Sequence, residues 1–243
     1  MDMHPGVLRF FWNLKVTGTI HAGAHKGEET ATYQKYRFDP VTWIEAIPEL
    51  AQELSANTQA PHRVICATIW SKSGQEKNFT VANTSGASSL FELGTGAKDY
   101  PHIKTERVIR VVTTTLDELD LEDGRNLLVL DLQGAEYEAL QGGARVLKKI
   151  DYIVSEVNRT EVYRGIKLIS QIDQLLRIYG FRRVATRWTR HGWGEALFIG
   201  SRMKPGGLLG SLWLELKVKI YWLWLHMVEI PIVYIRSAMS KWI

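Results

Sequence analysis

Short runs of apolar residues alternate along the chain with segments in which apolar residues recur every three or four positions. The runs predict buried strands, and the segments predict amphipathic helices. The predicted strands are residues 17–21, 42–45, 63–68, 127–131, 152–156 and 196–200, and the predicted helices are residues 28–36, 48–55, 135–148 and 168–179. Several runs are apolar at every position, so both faces of these strands are expected to be covered. The alternation therefore predicts an α/β fold with a mostly parallel, doubly wound sheet.

The segment from residue 71 to residue 110 breaks this alternation. It is rich in Ser, Thr, Gly and Lys, and within it residues 77–82 and 107–113 have the composition of two further strands. We expect this segment to lie beside the carboxyl edge of the sheet, where loops commonly carry function.

The last quarter of the chain differs in composition from the rest. The whole chain has a net charge of +4, but from residue 177 onward it carries 11 Lys and Arg against 3 Asp and Glu, together with six of the nine tryptophans. After the turn-forming stretch Lys204-Pro-Gly-Gly207, residues 208–243 are dense in Trp, Leu and Ile. We therefore predict one domain over residues 1–203, beginning with a helix in residues 1–16, and a basic, hydrophobic helical tail over residues 204–243.

Two interpretations of this tail remain open. Its Trp, Lys and Arg suit a helix lying in the interface of a membrane, and its least charged run, residues 220–235, is short for a spanning helix. The same composition suits a helix packed on the domain or on a second copy of the chain. Packing on a second copy would make the protein a homo-oligomer. The single Cys66 and an N-terminus unlike a signal peptide favour a cytoplasmic protein, bound in the first interpretation to the inner face of a membrane.

The stretch TIHAGAHKGEE, from Thr19 to Glu29, predicts a strand that ends in a glycine-spaced turn and enters a helix. Gly23 and Gly27 would let the backbone approach a bound group, and the helix N-terminus would offer N–H donors. The next predicted strand ends at Glu45, 18 residues beyond Gly27. An acid at about this spacing commonly holds the hydroxyls of a ribose, so the two features together predict a nucleotide-like ligand.

Acidic residues also end the fourth and fifth predicted strands. Asp131 closes the run before Gly134 and Glu136, and Glu156 is followed by Asn158. Because the carboxyl ends of the strands in an open α/β sheet converge on one crevice, we expect Glu45, Asp131 and Glu156 to meet there.

Seven stretches in register resemble the FkbM family of S-adenosylmethionine-dependent methyltransferases. They are IHAGAHKGEE, WIEAIPELAQEL, TSGASSL, TTTLDEL, LVLDLQGAEYEALQGG, YIVSEVNRTEVYRG and GWGEALFIG, which together lie between residues 17 and 200. The resemblance implies a Rossmann-like class I methyltransferase sheet, mostly parallel and seven-stranded with its last strand antiparallel, and helices on both faces. It also implies S-adenosylmethionine as cofactor and O-methylation, often of a sugar hydroxyl in a glycan, glycolipid or natural product.

The resemblance assigns roles to particular residues. The implied cofactor-binding residues are His21, Gly23, Ala24, Gly27, Glu45, Ala46, Ala67, Thr68, Asp131, Leu132 and Gln133. The candidates for the base that takes the hydroxyl proton are Asp131, Glu156 and His25. The candidate substrate contacts are Ser88, Ser89, Glu136, Asn158 and Trp193.

Several of these roles have alternatives. Glu156 could hold the substrate instead of taking a proton, His25 could make a backbone contact, and Ser88 and Ser89 could shape a turn. Many family members carry Asp where this chain has His21, and a His accepts a hydrogen bond only when it is neutral. How the amino group of the cofactor is held is therefore open. No metal is expected, because no His or Cys cluster has ligand spacing.

Three other functions compete with this interpretation. Tyr163-Arg-Gly-Ile-Lys167 matches the Tyr-x-x-x-Lys pattern of NAD(P)-dependent short-chain dehydrogenases, although Gly165 weakens the helix that must carry the pair. The chain could also be a membrane-tethered binding module without turnover. The basic tail permits a nucleic-acid substrate, but none is expected, because the chain lacks an Asn/Asp-Pro-Pro-Tyr motif and its aromatics are mixed with Leu and Ile.

Overall fold

The computed structural model describes residues 5–203 and residue 220, and its elements follow the predicted alternation of strands and helices. Within these residues the strands are β1 (Thr19–Ala22), β2 (Val41–Glu45), β3 (Arg63–Cys66), β4 (Thr68–Ile69), β5 (Glu76–Ala82), β6 (Thr105–Thr114), β7 (Leu127–Leu130), β8 (Tyr152–Asn158), β9 (Phe181–Trp188) and β10 (Trp193–Gly200). The α-helices are α1 (Pro5–Trp12), α2 (Thr30–Tyr36), α3 (Pro48–Ala56), α4 (Gly96–Asp99), α5 (Glu136–Gln141), α6 (Ala144–Leu147) and α7 (Ile169–Ile178).

Seven strands form the main sheet in the order β3-β2-β1-β7-β8-β10-β9. The strands pair in parallel from β3 through β8, whereas β10 runs antiparallel to both β8 and β9. The predicted class I methyltransferase sheet, seven-stranded and mostly parallel with its last strand antiparallel, is therefore confirmed.

Two hydrophobic clusters cover the two faces of this sheet. Successive side chains of a strand point to opposite faces, so the neighbours Trp43 and Ile44 of β2 enter different clusters. Trp43 packs with Tyr33 of α2, and Ile44 belongs to the cluster that contains Leu140 of α5 and Leu176 of α7. Burial on both faces explains why these strands are apolar throughout, as the sequence indicated.

A second, three-stranded sheet has the order β4-β6-β5 and contains the two further strands expected between residues 71 and 110. One prediction is corrected here. The single strand predicted over residues 63–68 is divided after Cys66 into β3 and β4. Arg63–Cys66 pairs with β2 in the main sheet, whereas Thr68–Ile69 pairs with β6. The division places Ala67 and Thr68 at the junction between the two sheets.

The structure departs from the predicted elements in other places as well. The predicted helix of residues 135–148 is divided into α5 and α6 at Gly142 and Gly143, and a Cβ atom on Gly142 would lie 2.4 Å from the carbonyl oxygen of Trp70. Helix α2 begins at Thr30, two residues later than predicted, because residues 28 and 29 form a turn. Strand β9 was not predicted, although it forms one edge of the main sheet.

The predicted tail of residues 204–243 lies outside the described residues except for residue 220. Among the described residues, no helix has the length and apolar character needed to cross a membrane.

Candidate functional site

A cleft opens at the carboxyl ends of β1, β2 and β7, where the strand order of the main sheet reverses. Its volume is about 670 Å³ including space open to solvent. Eight of the residues predicted to bind a cofactor line it: Gly23, Glu45, Ala46, Ala67, Thr68, Asp131, Leu132 and Gln133. The cleft therefore occupies the position in which an open α/β sheet binds its ligand.

Glu45 ends β2 and is held by the backbone of two loops. Its two carboxylate oxygens accept hydrogen bonds of 2.8 Å from the backbone N–H groups of His25 and Ile47. Burial raises the pKa of Glu45, and these two hydrogen bonds act in the opposite direction. Each carboxylate oxygen retains an acceptor position, so Glu45 can still bind a pair of ligand hydroxyls.

One wall of the cleft is apolar, and the sequence analysis did not identify it. Ile47, Ile69, Phe79 and Leu90 line this wall, and they come from separate segments of the chain. Phe79 lies at a buried position of β5, and Leu90 lies in the loop that follows it. The only sequence signal was the apolar character of residues 79 and 81 within a polar segment. Such a wall can cover the face of an adenine ring.

The two glycines of the β1–α2 loop allow close packing within the protein. Gly23 has φ of +86°, and a Cβ atom there would lie 1.8 Å from the carbonyl oxygen of Asp131. A Cβ atom on Gly27 would lie 2.6 Å from Leu54 of α3. The amides of Gly23 and Ala24 both donate to the carbonyl of Ile44, so neither is free to bind a ligand. The glycines position the loop, and only Gly23 lines the cleft.

His25 connects the two loops that border the cleft. Its Nδ1 lies 2.5 Å from a carboxylate oxygen of Glu28, and its Nε2 lies 2.6 Å from the hydroxyl of Ser85. The residue has φ of +48°, which a residue other than glycine adopts at a steric cost. Both ring nitrogens are engaged, so His25 closes the cleft wall on the side of Glu45.

A group of polar side chains lies where β7 and β8 end. The amide nitrogen of Gln133 donates to Asp131 at 2.6 Å and to Glu156 at 2.9 Å. Asp131 and Gln133 line the cleft, whereas Glu156 is buried behind them. The expected meeting of acids is thus confirmed for Asp131 and Glu156, which Gln133 joins.

Burial and neighbouring charges shift the protonation of these acids. Burial, followed by the nearby carboxylates of Asp131 and Glu136, raises the pKa of Glu156 well above its usual value. Burial also raises the pKa of Glu136 to about 8. Acids close together in a low-dielectric site cannot all ionise, so the group retains protons at neutral pH.

The family profile described as Methyltransferase FkbM domain matches residues 21–183 of the chain. The protein belongs to the FkbM methyltransferase family. Its cofactor is therefore S-adenosylmethionine, as the sequence motifs implied. A comparison with curated proteins gives no match to this sequence.

Solved methyltransferase structures are similar to this FkbM-family protein at low identity. One is a magnesium protoporphyrin IX methyltransferase from Synechocystis with bound SAH, at 13% identity and a TM-score of 0.47, with 82% of this chain and 81% of that chain covered. Another is a 1,6-didemethyltoxoflavin-N1-methyltransferase from Burkholderia thailandensis, at 13% identity and a TM-score of 0.46, with 81% and 76% covered. A third is an S-adenosylmethionine-dependent methyltransferase from Clostridium acetobutylicum, at 8% identity and a TM-score of 0.49, with 82% and 89% covered.

The wall of the cleft fits S-adenosylmethionine by the chemistry of its side chains. Glu45 offers acceptors for ribose hydroxyls, the apolar wall suits the adenine, and the carboxylate of Asp131 suits the positive charge of the cofactor. Within the described residues, no group of three or more His, Cys, Asp or Glu side chains could hold a metal ion.

Three of the predicted cofactor-binding residues of the FkbM-family protein lie outside the cleft wall. Ala24 and Gly27 pack inside the protein, as does His21. The His21 ring lies in the core beside Trp43 at 5.2 Å between centroids, and its Nδ1 is 3.0 Å from the hydroxyl of Tyr33. Burial lowers the pKa of His21, so the ring stays neutral. Its side chain points to the face of β1 opposite Ile20 and does not line the cleft, so its contact with the cofactor stays a prediction.

The predicted substrate contact Glu136 also lies outside the cleft wall. Both carboxylate oxygens of Glu136 turn back to the chain and accept hydrogen bonds from the amides of Leu132 and Gly134. The side chain is 2% exposed, so it organises the turn before α5 and does not face the cleft.

The two predicted serine contacts have different surroundings. Ser88 lines the cleft, and its hydroxyl accepts a hydrogen bond from the amide of Ala82. Ser89 is buried, and its hydroxyl donates to the carbonyl of Gln133 at 2.7 Å. Ser89 therefore has the turn-shaping role that the sequence analysis left open, and it ties its loop to the acid group.

Asn158 and Trp193 lie side by side on β8 and β10 and do not line the cleft. The indole N–H of Trp193 donates to the Tyr100 hydroxyl at 2.8 Å. The Asn158 amide nitrogen lies 3.4 Å from Glu156, and its carbonyl oxygen is buried without a hydrogen-bond partner among the described residues. Asn158 therefore joins the acid group, whereas Trp193 packs against the small hydrophobic cluster that contains Val162 and Tyr163.

The dehydrogenase interpretation conflicts with the structure around Tyr163. Residues 163–167 precede α7 and do not form a helix, and Gly165 has φ of +77°. Tyr163 is buried, and its hydroxyl donates to the side-chain oxygen of Gln133 at 2.7 Å. The tyrosine and lysine thus lack the shared helix face that the dehydrogenase pattern requires.

Proposed function

We propose that this FkbM-family protein is an O-methyltransferase that methylates a hydroxyl of a sugar in a glycan, glycolipid or natural product. The observation that carries the proposal is the pair of acids, Asp131 and Glu156, joined through Gln133 at the edge of the cleft. A neutral hydroxyl is a weak nucleophile, and a carboxylate in this position can take its proton. S-adenosylmethionine supplies an activated methyl group when it is bound.

In this proposal Asp131 is the base. It lines the cleft, and its Oδ1 accepts a hydrogen bond from Gln133, which leaves other acceptor positions for the acceptor hydroxyl. Glu156 is buried and has a raised pKa, so it retains its proton and does not compete for that of the substrate. Positioning of the hydroxyl beside the methyl group supplies much of the remaining rate enhancement.

Hydrogen-bond acceptors around this point support a polyhydroxylated acceptor. Asp131 offers carboxylate oxygens at the cleft wall, and the carboxylate of Glu45 lies in the same wall. Sugar hydroxyls are donors that such oxygens bind. An amide-lined, acidic site is also less suited to an apolar acceptor.

Binding and turnover can be tested separately. We expect micromolar affinity for S-adenosylhomocysteine in calorimetry and none for NAD(H). We also expect transfer of a labelled methyl group to an oligosaccharide in a panel that includes amines and carboxylic acids. Asp131→Asn should lower the transfer rate by about 100-fold or more, because it removes the base. Transfer only to nitrogen or carboxylate acceptors contradicts the proposal, and cofactor binding without any transfer favours a binding module without turnover.

We also propose that residues 204–243 dock the protein on an anionic membrane. The basic charge, the tryptophans and the apolar residues of this segment support the proposal. In co-sedimentation with liposomes that contain phosphatidylglycerol, the full chain should pellet, whereas a chain ending at Arg202 should stay in the supernatant. Equal recovery of both chains in the supernatant contradicts membrane docking.

A further inference from the structure

Gln133 holds the two acids through one end of its side-chain amide. The carboxylate oxygens of Asp131 and Glu156 lie 2.6 Å and 2.9 Å from the amide nitrogen, which donates one hydrogen to each. The opposite end, the amide oxygen, lies 2.7 Å from the hydroxyl of Tyr163. The backbone of Gln133 has φ of +50°. A residue held in a rarely adopted conformation between two acids needs support from its surroundings.

Tyr163 can act only as a donor toward this amide. Its side chain is 3% exposed, and burial and the carboxylates of Glu156 and Asp131 raise the pKa of Tyr163 far above its usual value. The hydroxyl therefore keeps its proton at any physiological pH. A second oxygen, the carbonyl of Ala87, is 3.3 Å away, so the shorter contact to Gln133 receives the proton.

We propose that Tyr163 is a positioning residue that fixes which end of the Gln133 amide faces Asp131 and Glu156. With the tyrosine hydroxyl in place, the amide oxygen is engaged and the NH2 group must point to the acids. The NH2 group then donates to one carboxylate oxygen of Asp131 and leaves the other oxygen to accept from a substrate hydroxyl. This inference rests on the proposed role of Asp131 as base, and it goes beyond that role by giving a function to the tyrosine of the Tyr-x-x-x-Lys stretch.

Removal of the hydroxyl frees the amide to rotate. If the amide oxygen turns toward the acids, it accepts a hydrogen bond from a protonated carboxyl, and the acid pair holds its proton more tightly. Other titratable groups lie near this pair: Glu136 at the start of α5 raises the pKa of Glu156, Glu195 of β10 pairs with Glu156 of β8, and the charge of Asp131 acts on His21 of β1 and Tyr33 of α2. These groups are the same in the variant and in the wild type, so a difference between the two titrations reports on the amide.

The test is a titration of the carboxyl carbons by carbon-13 NMR in the full chain labelled at Asp and Glu side chains. The signals are assigned with Asp131→Asn and Glu156→Gln. In Tyr163→Phe we expect the apparent pKa of the acid pair to rise by about one pH unit, a tenfold change in proton affinity. The matched control is Tyr152→Phe, which removes a partly buried tyrosine hydroxyl whose partner is the amide of Lys15, away from the cleft. This control should leave the acid pair unchanged.

A second comparison tests whether Tyr163 acts through Gln133. Gln133→Met removes the amide, and adding Tyr163→Phe to it should produce no further change in the titration. The inference is overturned if Tyr163→Phe leaves the apparent pKa of the acid pair unchanged. It is also overturned if Tyr163→Phe shifts that pKa equally in the presence of Gln133 and in the Gln133→Met background. The titration needs no acceptor, so it separates the two proposals. A shifted pKa of the acid pair in Tyr163→Phe, without methyl transfer to sugars by the wild type, contradicts the proposed function alone. An unshifted pKa together with transfer contradicts the inference alone.

Discussion

Glu45 is the single residue on which cofactor affinity should depend most. We expect Glu45→Ala to weaken S-adenosylhomocysteine binding at least about tenfold, or ~1.4 kcal/mol. The variant loses the acceptors for the ribose hydroxyls, and it also leaves the amides of His25 and Ile47 without their carboxylate partner. Calorimetric titration measures this loss.

The matched control for this prediction is Glu49→Ala. Glu49 lies on α3 close in sequence to Glu45, and its exposed carboxylate pairs with Arg107 away from the cleft wall. Its removal should leave the affinity within about twofold, because exposed ion pairs contribute little. If both variants bind S-adenosylhomocysteine as the wild type does, the ribose is held by other residues.

At the residue scale, the sequence identified positions better than side-chain directions. Glu45 and Asp131 end strands, and the fold alone brings such positions to the cleft. The direction of His21 could not be predicted, because all four positions of β1 are buried and neither face of the strand is exposed. Glu136 shows the same limit: its carboxylate binds two backbone amides, and this contact depends on the turn at Gly134, which has φ of +106°.

At the scale of elements, apolar runs predicted the central strands. The places where a predicted helix or strand is divided depend instead on contacts with residues distant in sequence. Residues 135–148 have a helical pattern throughout, but the carbonyl of Trp70 approaches Gly142 so closely that only glycine fits. Residues 63–68 read as one strand, but Thr68 and Ile69 pair with β6. In both cases the partner is distant in sequence, and local periodicity contains no information about it.

Strand β9 was missed for a different reason. It lies at the edge of the main sheet, and its sequence, FRRVATRW, includes three arginines and no regular alternation of buried and exposed positions. Arg183 forms hydrogen bonds to Asp173 of α7, which fastens the helix to this edge. Charged residues are common on edge strands, because they discourage pairing with other chains. The basic charge of this segment is thus compatible with a strand.

At the scale of the whole molecule, the buried acids should make stability depend on pH. In the folded protein the pKa of Glu136 is raised to about 8 and that of Glu156 is also raised, whereas both have ordinary values near 4.3 in an unfolded chain. Between these values the folded protein binds more protons than the unfolded chain, so the free energy of unfolding falls as the pH rises. Each group contributes at most about 1.4 kcal/mol per pH unit. His21, whose pKa burial lowers, acts in the opposite sense below about pH 6.5.

We therefore expect the unfolding free energy, measured by urea denaturation, to decrease between about pH 7 and pH 8, where His21 is neutral in both states. Glu136→Gln removes one of the responsible protons, so its decrease should be smaller, and it should gain stability relative to the wild type as the pH rises. The control is Glu53→Gln, an exposed residue paired with Lys26, whose curve should run parallel to that of the wild type. If the curves of all three proteins are parallel, Glu136 is ionised in the folded protein. Its two backbone amide donors would then outweigh the cost of burial, and Glu156 would face a full negative charge.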